Sequence, residues 1–246
     1  MSEVTAAVKA DLAPTGKLRA GINFSNKLLT ARDADGRPKG VALDLAAELG
    51  RRLGVPVEIV EFPNPGKLAD SAGSNTWDVG FLGAEPARAK TIDFTAAYVE
   101  IEATYLVPAG SPLKTIADVD REGVRLVVPA KAAYELWLSA NLKHAKILLA
   151  EGADNAFKQF VAEKLDALAG LKERLVKDQA NLPGSQLIPG RFTAVQQAAG
   201  TPKGRSGAGA KYLADFIEDA KASGLVAQLI AKNGVGHGLT VAPPAR

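Results

Sequence analysis

One arginine in this chain stands where it could hold an anion. Arg88 ends the run Trp77-Asp78-Val79-Gly80-Phe81-Leu82-Gly83-Ala84-Glu85-Pro86-Ala87-Arg88, and Ala89-Lys90-Thr91-Ile92-Asp93-Phe94 follows. Val79 to Leu82 is a short apolar run that reads as a buried strand. Gly83 breaks it, and Glu85-Pro86 marks a helix start, because proline is tolerated in a first helical turn. A guanidinium placed after a strand and a glycine turn lies at the carboxyl edge of a sheet, where open α/β sheets hold their ligands. Its planar fork suits a bidentate grip on a carboxylate. Leu82, Gly83 and Glu85 would share that edge. The alternative is that Arg88 is an ordinary solvated helix charge.

Composition removes several other chemistries. The 246 residues allow one large or two modest domains. A hydrophobic share of 47% with 23% charged residues is that of a soluble globular protein. The net charge of +3 is small, and Lys and Arg are scattered, so no nucleic-acid footprint is expected. Without cysteine there are no disulfides, thiolate metal sites or cysteine nucleophiles. His144 and His237 lie far apart, so no metal site is expected. No cofactor is expected either. Gly204 and its neighbours lack the strand–glycine loop–Lys-Ser/Thr–helix order of a phosphate loop and read as a loop. There is no Gly-x-Ser-x-Gly elbow for a serine nucleophile. No apolar run approaches the ~18 residues of a membrane span.

The elements that must position Arg88 alternate between strand and helix. Strands are expected at 18–24, 57–62 and 79–82, with helices at 40–53 and 67–73. In the first helix Val41, Leu45, Leu49 and Leu53 recur every fourth position and Gly54 caps the end. Strand–helix–strand alternation is the parallel α/β signature. Asn23, Phe24 and Asn26 follow the first strand and face the same edge as Arg88, where the asparagines either bind a ligand or form a turn. A long strand at 98–108 leads into a second pattern: strand 124–129, helix 132–142, strand 146–150, helix 154–163, strand 165–169. A second extended piece at 189–195, a surface loop at 200–209 and helices at 210–221 and 225–232 complete the chain.

Asp78-Val79, Gly80, Pro86, Arg88, Ile92-Asp93-Phe94-Thr95 and Tyr98 together resemble the extracellular solute-binding proteins of polar amino-acid ABC importers. The resemblance spans nearly the whole chain in element order. It implies an α/β, two-lobed periplasmic-binding-protein-like fold with two crossover hinge strands, near 99–104 and 191–195. Lobe one would be 1–99 and 194–246, and lobe two 100–193. Arg88 would hold a ligand α-carboxylate from lobe one, opposite the loops of lobe two. The implied partners are a small carboxylate-bearing solute and an ABC transporter permease, with no membrane insertion and a monomeric state. The first residues, Met1-Ser2-Glu3-Val4-Thr5, carry no signal peptide. The expected location is periplasmic if a leader was trimmed and cytoplasmic if Met1 is the native start.

Two lobe-two positions depart from that family. Where it has a glycine and then a hydroxyl residue at a helix start, this chain has Lys131-Ala132-Ala133. The helix N-terminus still offers N–H groups to an anion, and Lys131 either adds a charge or points to solvent. The family also has an acid shortly after an Asp-Ala pair, for the ligand ammonium. Here Asp166-Ala167 is followed by Leu168-Ala169-Gly170-Leu171. An ammonium desolvated there without a carboxylate is costly, so the pocket is expected to favour anions over zwitterions. Glu85 either replaces the acid or pairs with Arg88. Two alternatives stay open: an enzyme on the same fold, resembling the cyclohexadienyl dehydratases, with Glu85, Glu100, Glu102 and Asp166 as candidate acids, and a sensor with a vestigial pocket.

Overall fold

The computed structural model describes residues 3–245. Met1, Ser2 and Arg246, and with them the signal-peptide reading at the first residues and the outer ends of the expected lobe one, lie outside the described residues. The chain forms two compact units, one running to Glu100 and resuming at Gln196, the other spanning Ile101–Val195.

In the first unit α1 (Ala6–Leu12) precedes β1 (Leu18–Asn23), a small hairpin of β2 (Ala31–Arg32) and β3 (Pro38–Lys39), and α2 (Val41–Leu53). Then come β4 (Val57–Phe62), α3 (Pro65–Asp70), β5 (Val79–Gly83) and the sixteen-residue β6 (Ile92–Val107). The second unit adds β7 (Arg125–Pro129), α4 (Ala133–Asn141), β8 (Lys146–Ala150), α5 (Gly152–Ala162), β9 (Ala167–Leu171), α6 (Lys172–Ala180) and β10 (Gln186–Leu187). β11 (Thr193–Pro202) returns the chain to the first unit, where α7 (Ala208–Ala222), α8 (Leu225–Lys232) and β12 (Thr240–Val241) close it.

The first unit's strands run β4-β1-β5-β11-β6, with β1 parallel to β4 and β5 and antiparallel β11 beside β5. The second unit's run β6-β9-β7-β8, with β7 parallel to both neighbours. α2 forms because its fourth-position apolar residues, Val41, Leu45, Leu49 and Leu53, are all buried. Gly54 stops it in the left-handed region, φ 67°, which a side chain would disfavour. β5 is buried along its whole length, as its apolar run requires.

Several expectations need correction. No helix starts at Glu85-Pro86. Residues 84–91 must return the chain to a strand at Ile92, and they hold only a single 3-10 turn, Arg88–Lys90. The long strand begins at Ile92, not at Tyr98. The strand expected at 165–169 lies two residues later. α6 was not anticipated: among its residues only Leu175 and Asp178 are buried, so it has almost no apolar stripe. The loop expected at 200–209 is shorter, because Gly200, Thr201 and Pro202 belong to β11 and are buried. A side chain at Gly200 would collide with Ile92.

The amino end of the first unit's sheet is fixed by a buried charge cluster. Asp78 has no exposed side-chain surface. Its Oδ2 accepts from the Arg19 backbone N–H at 3.1 Å and Nε at 2.9 Å, and its Oδ1 from Nη2 of Arg19 at 2.8 Å and of Arg205 at 2.9 Å. Arg205 also donates to the Asp11 carbonyl. The Asp11 carboxylate accepts from Gly209 N–H at 2.8 Å, Ser206 Oγ at 2.7 Å and Ser206 N–H at 3.1 Å. Burial opposes ionisation of Asp11, but these bonds outweigh it and hold the carboxyl below its usual range. The glycine-rich segment before α7 thus closes on the chain's own carboxylate. Asp78→Asn should cost about 3 kcal/mol in chemical denaturation, because two guanidinium groups lose their counter-charge. Lys17→Ala, which breaks the exposed 3.5 Å pair with Glu58, should cost under about 1 kcal/mol.

Candidate functional site

The carboxyl edge of the β1–β5 pair gathers the candidates of the first unit. Ile22 lies opposite Phe81, so Asn23 is level with Leu82 and Phe24 with Gly83. Arg88 is only 5% exposed. Its Nη1 donates to the Gly83 carbonyl at 2.7 Å, which folds the guanidinium back over the end of β5. It is not a solvated charge. Glu85 is half-buried beside it. Burial raises its carboxyl pKa above the ordinary value, and the Arg88 charge pulls in the opposite direction.

The remaining first-unit candidates have contacts within the fold. Asn23 is buried, donating Nδ2 to the Phe81 carbonyl at 3.3 Å and accepting from Ser25 Oγ at 3.0 Å. Asn26 Oδ1 accepts from Leu28 N–H at 3.1 Å, the turn-forming alternative. Leu82 packs its side chain in the core with Leu68, Trp77 and Ile92. Phe24 is half-buried and carries the Arg32 guanidinium over its ring.

In the second unit Lys131 is exposed, in a left-handed conformation with φ 59°. Ala132 caps α4 without a side-chain bond, and Ala133 is buried. The N–H of Lys131, expected to be open to an anion, instead donates to Glu135 Oε2 at 2.9 Å. Glu135 is buried, and its Oε1 accepts from Ser139 Oγ at 2.7 Å. Sequence reasoning missed Glu135, although a glutamate three residues after a helix cap is the signal of a side chain folding back on the N-terminus.

Asp166 and Leu171 lie at opposite ends of β9. Asp166 precedes β9 at the amino end of the strand, where Oδ2 accepts from Arg125 N–H at 2.7 Å. About 16 Å of strand separates it from Leu171 at the carboxyl end. Leu171 is half-buried opposite Ala103, and Gly170 lies opposite Thr104, where a side chain would meet Leu175. Glu102, another candidate acid, is paired with Lys172 at 3.0 Å and Arg191 at 3.7 Å. Glu100 accepts from Gln196 Nε2 at 2.9 Å. Phe192 stacks on Tyr105 at 4.5 Å and leans on Trp137 at 5.6 Å. Nothing in the sequence signalled that stack, since its members are 32 to 87 residues apart.

Three parallel strands, with a buried arginine folded over the carboxyl end of one of them, place the first unit in the α/β class. Residues 18–235 match the model of the bacterial extracellular solute-binding proteins, family 3, and the chain belongs to that family. Cyclohexadienyl dehydratase of Pseudomonas aeruginosa is 25% identical over 224 residues, covering 87% of this chain and 81% of the enzyme. An ancestral amino-acid-binding protein, described as a precursor of cyclohexadienyl dehydratase, superposes with a TM-score of 0.72 at 23% identity, covering 92% of this chain and 99% of its own. The lysine-complexed putative binding component of an ABC transporter from Wolinella succinogenes gives 0.72 at 20% identity, covering 89% and 95%. An L-arginine-bound substrate-binding protein from Streptococcus pneumoniae gives 0.72 at 17%, covering 90% and 96%. The fold is that of the two-lobed periplasmic binding proteins. No helix among the described residues is long and apolar enough to cross a membrane.

The raised Glu85 pKa has a sign that can be tested. A carboxyl that binds its proton more tightly when folded disfavours the folded state once pH exceeds its unfolded value, near 4.5. Glu85→Gln should therefore raise the melting temperature at pH 7. The gain should shrink as pH falls and vanish below the ordinary carboxylate range, in a pH series of thermal melts.

Proposed function

We propose that this chain captures a small carboxylate-bearing solute, an amino acid or a related organic anion, and delivers it to the permease of an ABC importer outside the cytoplasm. The observation that carries this reading is Arg88, buried on the carboxyl edge of β5 with its fork held by Gly83. Leaving water costs a guanidinium a great deal unless an anion or carbonyl repays it. Family membership and the lysine- and arginine-bound relatives support the class. With Leu171 where the family places an acid, the ligand is an anion before it is a zwitterion.

A second reading has its own observation. A half-buried carboxyl with a raised pKa beside a guanidinium is what a general acid requires, and one relative is a dehydratase. On that reading Glu85 is the acid. A cyclohexadienyl dehydratase assay separates the two. The binding reading expects no turnover, whereas turnover abolished by Glu85→Gln would establish the enzyme.

A thermal-shift screen across amino acids and organic acids tests the leading reading. A ligand at ~100 times its Kd adds about 2.7 kcal/mol of stability. Arg88→Ala should remove that ligand-induced gain while costing about 1 kcal/mol of unliganded stability, through the lost bond to Gly83. A stabilising ligand that acts equally on Arg88→Ala would place the binding elsewhere.

A further inference from the structure

The carboxyl edge that holds Arg88 carries a second positioned guanidinium. Arg32, at the end of β2, lies over the Phe24 ring with its Cζ 4.7 Å from the centroid. Nη2 donates to Glu61 Oε2 at 2.5 Å and Nη1 to the Gly36 carbonyl at 3.1 Å. The turn of the β2–β3 hairpin is tied by Asp33 Oδ1, which accepts from Asp35 and Arg37 N–H, each at 2.9 Å. Phe24 N–H donates to the Phe62 carbonyl at 3.0 Å, so the ring is anchored on β4 next to Glu61. The β1–β5 register sets Phe24 level with Gly83, the acceptor of Arg88.

A guanidinium over an aromatic face is the contact that a ligand's own cation would seek. A ring face holds one cation at a time, and here the chain supplies it, with Glu61 as its counter-ion. We propose that Arg32 is a resident cation that closes the Phe24 face to cationic ligand side chains. It thereby selects ligands whose group beyond the Arg88-held carboxylate is neutral or acidic. A lysine- or arginine-like side chain must either displace Arg32 from the ring and from Glu61 or lie beside a like charge. The inference rests on Arg88 as the carboxylate holder for its consequence in ligand choice. Occupation of the ring by Arg32 stands without it.

The test uses Arg32→Ala and Arg32→Gln. Both alter a side chain that is 45% exposed, and the second keeps most of its length. Methylguanidinium is titrated into each protein while the Phe24 ring protons are followed by NMR. Both variants should show a saturable shift and the unmodified protein none. Equal shifts in all three proteins, or shifts in none, would overturn the proposal. In parallel, L-arginine and its neutral counterpart L-citrulline are titrated by calorimetry. Arg32→Ala should improve the arginine-to-citrulline affinity ratio about tenfold, and an unchanged ratio between measurable affinities would contradict the selection. If neither amino acid binds any of the proteins while the methylguanidinium response follows Arg32, the resident cation is upheld and its selection among amino-acid ligands falls, while the carboxylate-binding reading stands or falls with the organic acids of the thermal-shift screen.

Discussion

A carboxylate sealed from water must be matched by positive charge and donors, and Asp78 meets that demand in a way that organises the first unit. Arg19 comes from β1, Asp78 from the residue before β5, and Arg205 from the segment leading into α7. Three parts of the chain far apart in sequence are thus fixed at one point at the amino end of the sheet. The backbone shares in it: Asp78 N–H donates to the Arg19 carbonyl at 2.8 Å, and Arg19 N–H donates back to the carboxylate. That exchange sets the β1–β5 register, and a one-residue slip would turn every side chain of β1 over. The level pairing of Phe24 with Gly83 at the far end of the strands is its consequence. Loss of the charge cluster would be felt first as a loss of alignment at the site.

At the carboxyl edge the same physics runs in the other direction. Two guanidinium groups are held there by different devices. Arg88 is turned inward onto a backbone carbonyl, and Arg32 is spread over a ring and a carboxylate. Glu85 is the counterweight, a carboxyl kept from easy ionisation by burial but close enough to Arg88 to be affected by its charge. The edge thus gathers two guanidinium groups and two carboxyls, Glu61 paired with Arg32 and Glu85 beside Arg88. In the second unit the corresponding helix start is already satisfied by Glu135, which leaves less for an anion than a bare helix N-terminus would offer.

The parts legible in the sequence were those with a period or a stop signal. β4, β8 and α8 lie where their apolar patterns put them, and α2 ends on the glycine that had to end it. In the Arg88 stretch the apolar run and its glycine stop were legible as β5, whereas the helix expected at Glu85-Pro86 did not form. What failed was information held in tertiary contacts. α6 has a single buried leucine, so no stripe announced it. Asp166 looked like part of a binding motif, but strand β9 starts after it and places it at the other end of the strand from Leu171. Asn23 and Leu82 were placed at the edge by sequence, and the structure adds their contacts within the fold. The Arg32–Phe24–Glu61 group joins three elements, and no spacing in the chain connects them.

The most direct measurement is a crystal structure of the protein with the tightest carboxylate found by ligand screening. A ligand carboxylate with both oxygens about 3 Å from the Arg88 guanidinium nitrogens is the result this account predicts. A tightly bound ligand making no contact with Arg88 would contradict it.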